Sequence, residues 1–138
     1  MDLLIEPDEL ETQLNNPNVV IVDLCKAKQY AQAHIPGAHF VNYGDIVHIE
    51  KPVMGLLPDA DKFSSLVSSL GITPDTQVVA YDDEGGGCAA RFIWTLHVFG
   101  HEKTSLLLAP VRGRSHVQRL LTRSNIMSGR ELRGGSIL

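Results

Sequence analysis

At 138 residues, 43% apolar and 20% charged, the chain has the size and make-up of one soluble globular domain. No run approaches the ~20 apolar residues of a membrane span, and the acidic start Met1-Asp2-Leu3-Leu4-Ile5-Glu6 does not read as a secretory leader, so a membrane partner is excluded. The net charge of −4 divides into 6 Lys+Arg against 15 Asp+Glu over residues 1–109 and 6 Arg against one Glu over 110–138; the acidic body excludes nucleic acid as its partner.

Taken in order, residues 3–5 (Leu-Leu-Ile) predict a short strand. Pro7 then opens a helix over 8–14, with acidic residues in the first turn where the helix dipole favours them. The run Val19-Val20-Ile21-Val22-Asp23-Leu24 is continuous and β-branched, which predicts an inner strand of a parallel sheet. A short helix over 27–33, a turn at His34-Ile35-Pro36-Gly37-Ala38 and a brief strand at 39–41 follow. Residues 42–58 show no periodicity and are expected to form a long ordered loop, and a helix runs from Pro58-Asp59 to Leu70, stopped by Gly71.

The stretch 77–100 organises the chain. Gln77-Val78-Val79-Ala80-Tyr81 is a strand buried on both faces, Asp82-Asp83-Glu84-Gly85-Gly86-Gly87 is a glycine loop, and 88–99 is a helix with Ala89, Phe92, Ile93, Leu96 and Phe99 on its apolar stripe. Strand, glycine loop and helix bring backbone N–H groups and a positive helix terminus to one point above the sheet. Residues 104–108 supply the last strand. Alternating strands and helices predict an α/β fold, an open parallel sheet of about five strands with helices on both faces. Beyond it, an Arg-rich tail over 109–138, with Gly129, Gly134 and Gly135, is expected to be partly disordered.

These residues resemble a known family. The run Val22-Asp23-Leu24-Cys25, Tyr30 and His34-Ile35-Pro36-Gly37-Ala38 resembles the first signature of rhodanese domains. Leu70-Gly71-Ile72, Val78 to Asp83, Ala89-Ala90-Arg91-Phe92-Ile93-Trp94 and Phe99-Gly100-His101 resemble the N-terminal, non-catalytic domain of tandem thiosulfate/3-mercaptopyruvate sulfurtransferases. The resemblance spans residues 1–108 and implies a rhodanese-like fold and membership of a sulfur-transferring enzyme without cofactors, while the two cysteines point to a cytoplasmic location. Catalytic members place a cysteine at the mouth of the glycine loop, where its thiolate takes a sulfur atom as a persulfide that cyanide or another thiol removes. Here that position is Asp82. The resemblance therefore implies an inactive domain that works by packing on a catalytic rhodanese domain in cis or in trans, or by self-association. The alternative is a free-standing inactive module that binds a partner protein or a small anion. The pattern departs in two places. Cys25 stands where the family commonly has Arg, and the Gly-Gly turn and Trp-bearing last helix are replaced from about residue 109, as a shifted reading frame would do.

The candidate residues divide between chemistry and structure. Cys88 is the weak catalytic candidate, a thiol at a helix start that reads first as a small core group. Cys25 reads as structural. Two cysteines are too few for a disulfide framework, which fits a reducing compartment, and they lack metal-ligand spacing, so no metal is expected. Asp82, Asp83 and Glu84 read as a solvated turn, with one carboxylate paired to Arg91. Arg91, with Asp82, Gly85, Gly86 and Gly87, is the candidate anion-binding or interface set, and His101 could join Arg91 in holding an anion. His34 is expected to fix its turn by a hydrogen bond. Gly85-Gly86-Gly87 matches neither G-x-G-x-x-G nor a P-loop.

Overall fold

In a computed structural model, residues 3–32, 34–50, 53–82 and 86–107 are described. The elements in chain order are β1 (Leu4–Ile5), α1 (Pro7–Glu11), β2 (Val19–Asp23), α2 (Ala27–Gln32), β3 (His39–Phe40), a 3-10 turn (Tyr43–Asp45), β4 (His48–Glu50), β5 (Val53–Leu56), α3 (Ala60–Ser69), β6 (Gln77–Tyr81), α4 (Gly87–Val98) and β7 (Thr104–Leu107). Five strands form one parallel sheet in the order β1-β7-β6-β2-β3. The glycine-loop strand β6 is its middle strand, flanked by β2 and β7.

The uninterrupted apolar runs of β2 and β6 are explained by burial on both faces. Val20, Val22, Val78 and Ala80 point to one side, where Phe63, Leu66 and Val67 of α3 and Phe92, Ile93 and Leu96 of α4 pack on them. The alternate residues Val19, Ile21, Val79 and Tyr81 point to the other side, against Leu10 of α1 and Tyr30 of α2. Helices thus cover both faces, as the βαβ pattern requires.

Local signals set the helix limits. Asp59 caps α3, its side chain accepting from the amides of Asp61 and Lys62, so the helix begins at Ala60, two residues after the proline expected to open it. Phe63 of α3 stacks on Phe99 at 5.1 Å and meets Phe92 at 6.2 Å. Phe99, placed on the buried stripe from its spacing, is 40% exposed, because it caps the C-terminus of α4 and covers Phe63 from the rim.

The loop expected over residues 42–58 is corrected. It holds the antiparallel pair β4-β5, with His48 opposite Leu56 and a register shift before Glu50. Two strands of three and four residues are too short to show periodicity. The loop also plugs the core, since Ile46 and Val47 are buried in the α3/α4 side. Leu108, the tail from residue 109 and the expected change in the last helix lie outside the described residues, as does Ala33.

Phe92 is fully buried where α3, α4 and the sheet meet. Replacing it with alanine is expected to cost about 3–5 kcal/mol, read as a fall in the urea midpoint of unfolding with the slope unchanged.

Candidate functional site

The site is built by the carboxyl end of β6 and the first turn of α4. Asp82 directly follows β6 and is 8% exposed. Its Oδ1 accepts the Gly86 amide at 2.8 Å and its Oδ2 accepts the Ala89 amide at 2.8 Å. The reading of Asp82 as part of a solvated turn is therefore corrected. The pleat of β6 turns residue 82 toward α4, whose first amides have no partner inside the helix and whose dipole presents positive charge there. Gly86 sits just before the helix at φ 98°, a left-handed conformation that would cost another residue about 1–2 kcal/mol. Gly87 is the first helical residue. Asp83, Glu84 and Gly85, the rest of the candidate loop, lie outside the described residues.

Other candidates are placed apart. Arg91 lies one turn into α4 with its guanidinium carbon 4.8 Å from the Trp94 ring centroid. Because α4 rises about 1.5 Å per residue, His101, beyond its end, is some ten residues along from Arg91. His101 Nε2 donates to the carbonyl of Thr76 at 2.9 Å, at the opposite end of β6 from Asp82. Arg91 and His101 thus do not form one anion site. Cys88 is half-buried on the α3/α4 side, and Cys25 is half-buried on the α1/α2 side, so the sheet separates the two thiols. His34 Nδ1 donates to the Tyr30 carbonyl at 2.8 Å and its ring stacks on Tyr30. Among the described residues, no three His, Cys, Asp or Glu are gathered around a metal position.

The sequence reading missed one polar centre. Asp23 is the partner of Tyr81 in the β2-β6 register, so both side chains rise from the same face. The Tyr81 hydroxyl donates to Asp23 Oδ2 at 2.5 Å and accepts the Ile35 amide at 3.1 Å. Asp23 Oδ1 accepts the Cys25 amide at 2.7 Å. Asp23 is fully buried, and these bonds join the ends of β2 and β6 to the His34–Ala38 turn. Burial, and next the Asp23 carboxylate beside it, push the Tyr81 phenol far above the ordinary tyrosine range. A carboxylate ending an otherwise apolar strand was the available signal, because such a group is buried only when it is satisfied.

Comparison with known proteins fits this geometry. The profile of the rhodanese-like domain family matches residues 6–109. The chain belongs to the rhodanese-like domain family. It is similar to a thiosulfate sulfurtransferase of Azotobacter vinelandii, 44% identical over 103 residues, 75% of this chain and 38% of that protein. A thiosulfate sulfurtransferase of Pseudomonas aeruginosa is 46% identical over 101 residues, 73% of this chain and 37% of its own length. The crystal structure of SseA from Escherichia coli, described among 3-mercaptopyruvate sulfotransferases, superposes with a TM-score of 0.74 at 27% identity, covering 88% of this chain and 50% of that one. The chain therefore spans well under half the length of the curated relatives it matches.

Two predictions follow from the bonds at the end of β6. Asp82→Ala leaves a buried amide, Ala89, and a part-buried one, Gly86, without their acceptor and should lower stability by about 1–2 kcal/mol; Asp82→Asn, which keeps an acceptor, should lose less in the same urea titration. Tyr81 sets an alkaline limit. Above a pH of about 10 an unfolded tyrosine releases its proton, while folded Tyr81 retains it, so the unfolded state binds fewer protons and stability falls as pH rises. Tyr81→Phe should be less stable than the parent at neutral pH, and the gap should narrow steadily as pH rises above about 10; a constant gap would mean that Tyr81 titrates normally.

Proposed function

We propose that this chain is the non-catalytic rhodanese unit of a thiosulfate/3-mercaptopyruvate sulfurtransferase, and that it supports sulfur transfer carried out by a catalytic rhodanese domain. The observation that carries this reading is Asp82. It stands at the mouth of the loop, where the resemblance places the sulfur-accepting cysteine of catalytic members, and it is bound there through both carboxylate oxygens. A thiolate in that position attacks the outer sulfur of thiosulfate, breaking its S–S bond and releasing sulfite, or the sulfur of mercaptopyruvate, breaking its C–S bond and releasing pyruvate enolate, and in both cases it is left as a persulfide. A carboxylate oxygen has no stable equivalent of that S–S bond. Its negative charge also occupies the amides that would otherwise steady a thiolate or persulfide. The amides of Gly86 and Ala89 are thus filled from within the chain.

The two cysteines support the same reading. Cys88 packs on the α3/α4 core and Cys25 on the opposite one, and neither takes the place held by Asp82. Exposed Leu3, Leu4, Trp94 and Val98 favour a unit that works against another domain over a free-standing module.

The test is intact-protein mass spectrometry of the folded chain after incubation with thiosulfate and, separately, with mercaptopyruvate. The expected result is no added sulfur on the parent and one cyanide-labile sulfur on Asp82→Cys, whose thiolate would meet the same amides. Cyanide-labile sulfur on Cys25 or Cys88 of the parent would overturn the reading.

A further inference from the structure

Helix α4 is apolar around most of its circumference. Its inner side, Ala89, Phe92, Ile93 and Leu96, is buried in the core. Its outer side carries Ala90, Trp94 and Val98 toward solvent beside a single exposed His97, with Trp94 48% and Val98 46% exposed. Across the 12 residues Gly87–Val98, Arg91 is the only one with a full charge and none is acidic. A surface helix ordinarily turns a polar face outward, and a helix apolar on both sides is one that is covered on both sides. Helix α3 supplies the contrast, since its outward positions are Asp61, Lys62, Ser64, Ser65, Ser68 and Ser69. The outer stripe of α4 is also ordered for contact. Arg91, Trp94 and Val98 follow at three- and four-residue steps, and the Arg91 guanidinium carbon lies 4.8 Å from the Trp94 ring centroid, within cation–π range. Tryptophan and arginine are the residue types that most often anchor interfaces.

Resting on the proposed function, we infer that the Arg91-Trp94-Val98 stripe of α4 is the docking surface for the remaining part of a sulfurtransferase of the relatives' kind. This occupant is chosen for two reasons. The relatives that share this fold carry at least as much chain again, since this one covers 38% of the A. vinelandii protein and 50% of the E. coli chain. The stripe also begins one turn from the Asp82–Ala89 bond, so a domain seated on it lies beside the loop mouth. A specific interface buries about 800 Å² on each side, and the stripe would form its apolar centre.

Trp94 is the single tryptophan of the 138 residues, which makes the test site-specific. The full chain is labelled with 5-fluorotryptophan, giving one fluorine resonance, and titrated with the part of the A. vinelandii sulfurtransferase that lies outside the matched region. Binding is measured in parallel by calorimetry. The expected result is a complex in which the Trp94 resonance shifts and loses its exposure to solvent. Val98→Asp should weaken it at least tenfold, and Lys28→Ser, on α2 at the opposite face of the sheet, should leave it unchanged, with both variants and the partner checked for a native circular dichroism spectrum. A complex with the resonance unmoved would overturn the surface and leave the proposed function standing. A resonance that moves with the concentration of the chain alone would make a second copy the occupant and overturn the inference. Absence of any complex would overturn the proposed function, and the docking surface with it.

Discussion

The pleat of the middle strand sends Tyr81 to one side of the sheet and Asp82 to the other, and each is met there by buried polar groups. Tyr81 reaches Asp23 across the β2-β6 register and receives the Ile35 amide, fixing the signature turn over the α1/α2 side. Asp82 holds the first turn of α4 on the opposite side. Neither residue could exchange places with its neighbour, because a shift of one position would put a carboxylate beside Asp23 and a phenol at the helix terminus. The register of β6 is therefore set by polar demands at its end as firmly as by the valines before it.

Much of this was legible in the sequence. The continuous β-branched run at 19–24 and the short apolar run at 77–81 pointed to two inner strands, and alternation with helical spacing to a parallel α/β sheet. The hairpin Val53–Leu56 with His48–Glu50 was not legible, because strands of three and four residues show no period. The site divides in the same way. That the loop after β6 matters could be read from glycines beside a strand end. What Asp82 does there could not, because three adjacent acidic residues look like a solvated turn until the direction of each side chain is known. Tyr81 was likewise read by its ring, while its hydroxyl joins three segments.

The carboxylate of Asp82 and a catalytic thiolate would satisfy the same helix terminus with the same sign of charge. A carboxylate at this position therefore satisfies the Gly86 and Ala89 amides with the sign of charge that a thiolate would bring. With an aspartate there, the start of α4 stays bonded to the end of β6, and Trp94 and Val98 are presented on the outer side of the helix.

The strand order has a consequence for how the chain is made. The first strand, β1, lies at the sheet edge and pairs only with the last described strand, β7, through Leu4 opposite Leu106 and Ile5 opposite Leu107. During synthesis β1 emerges well before β7 and must wait for it before it gains a partner. The β2-β6 pair can close earlier, but the sheet gains its outer edge only when nearly the whole fold has left the ribosome. Until then Ile5, which ends almost fully buried, is an exposed apolar group on an unpaired strand, the kind of surface that chaperones cover.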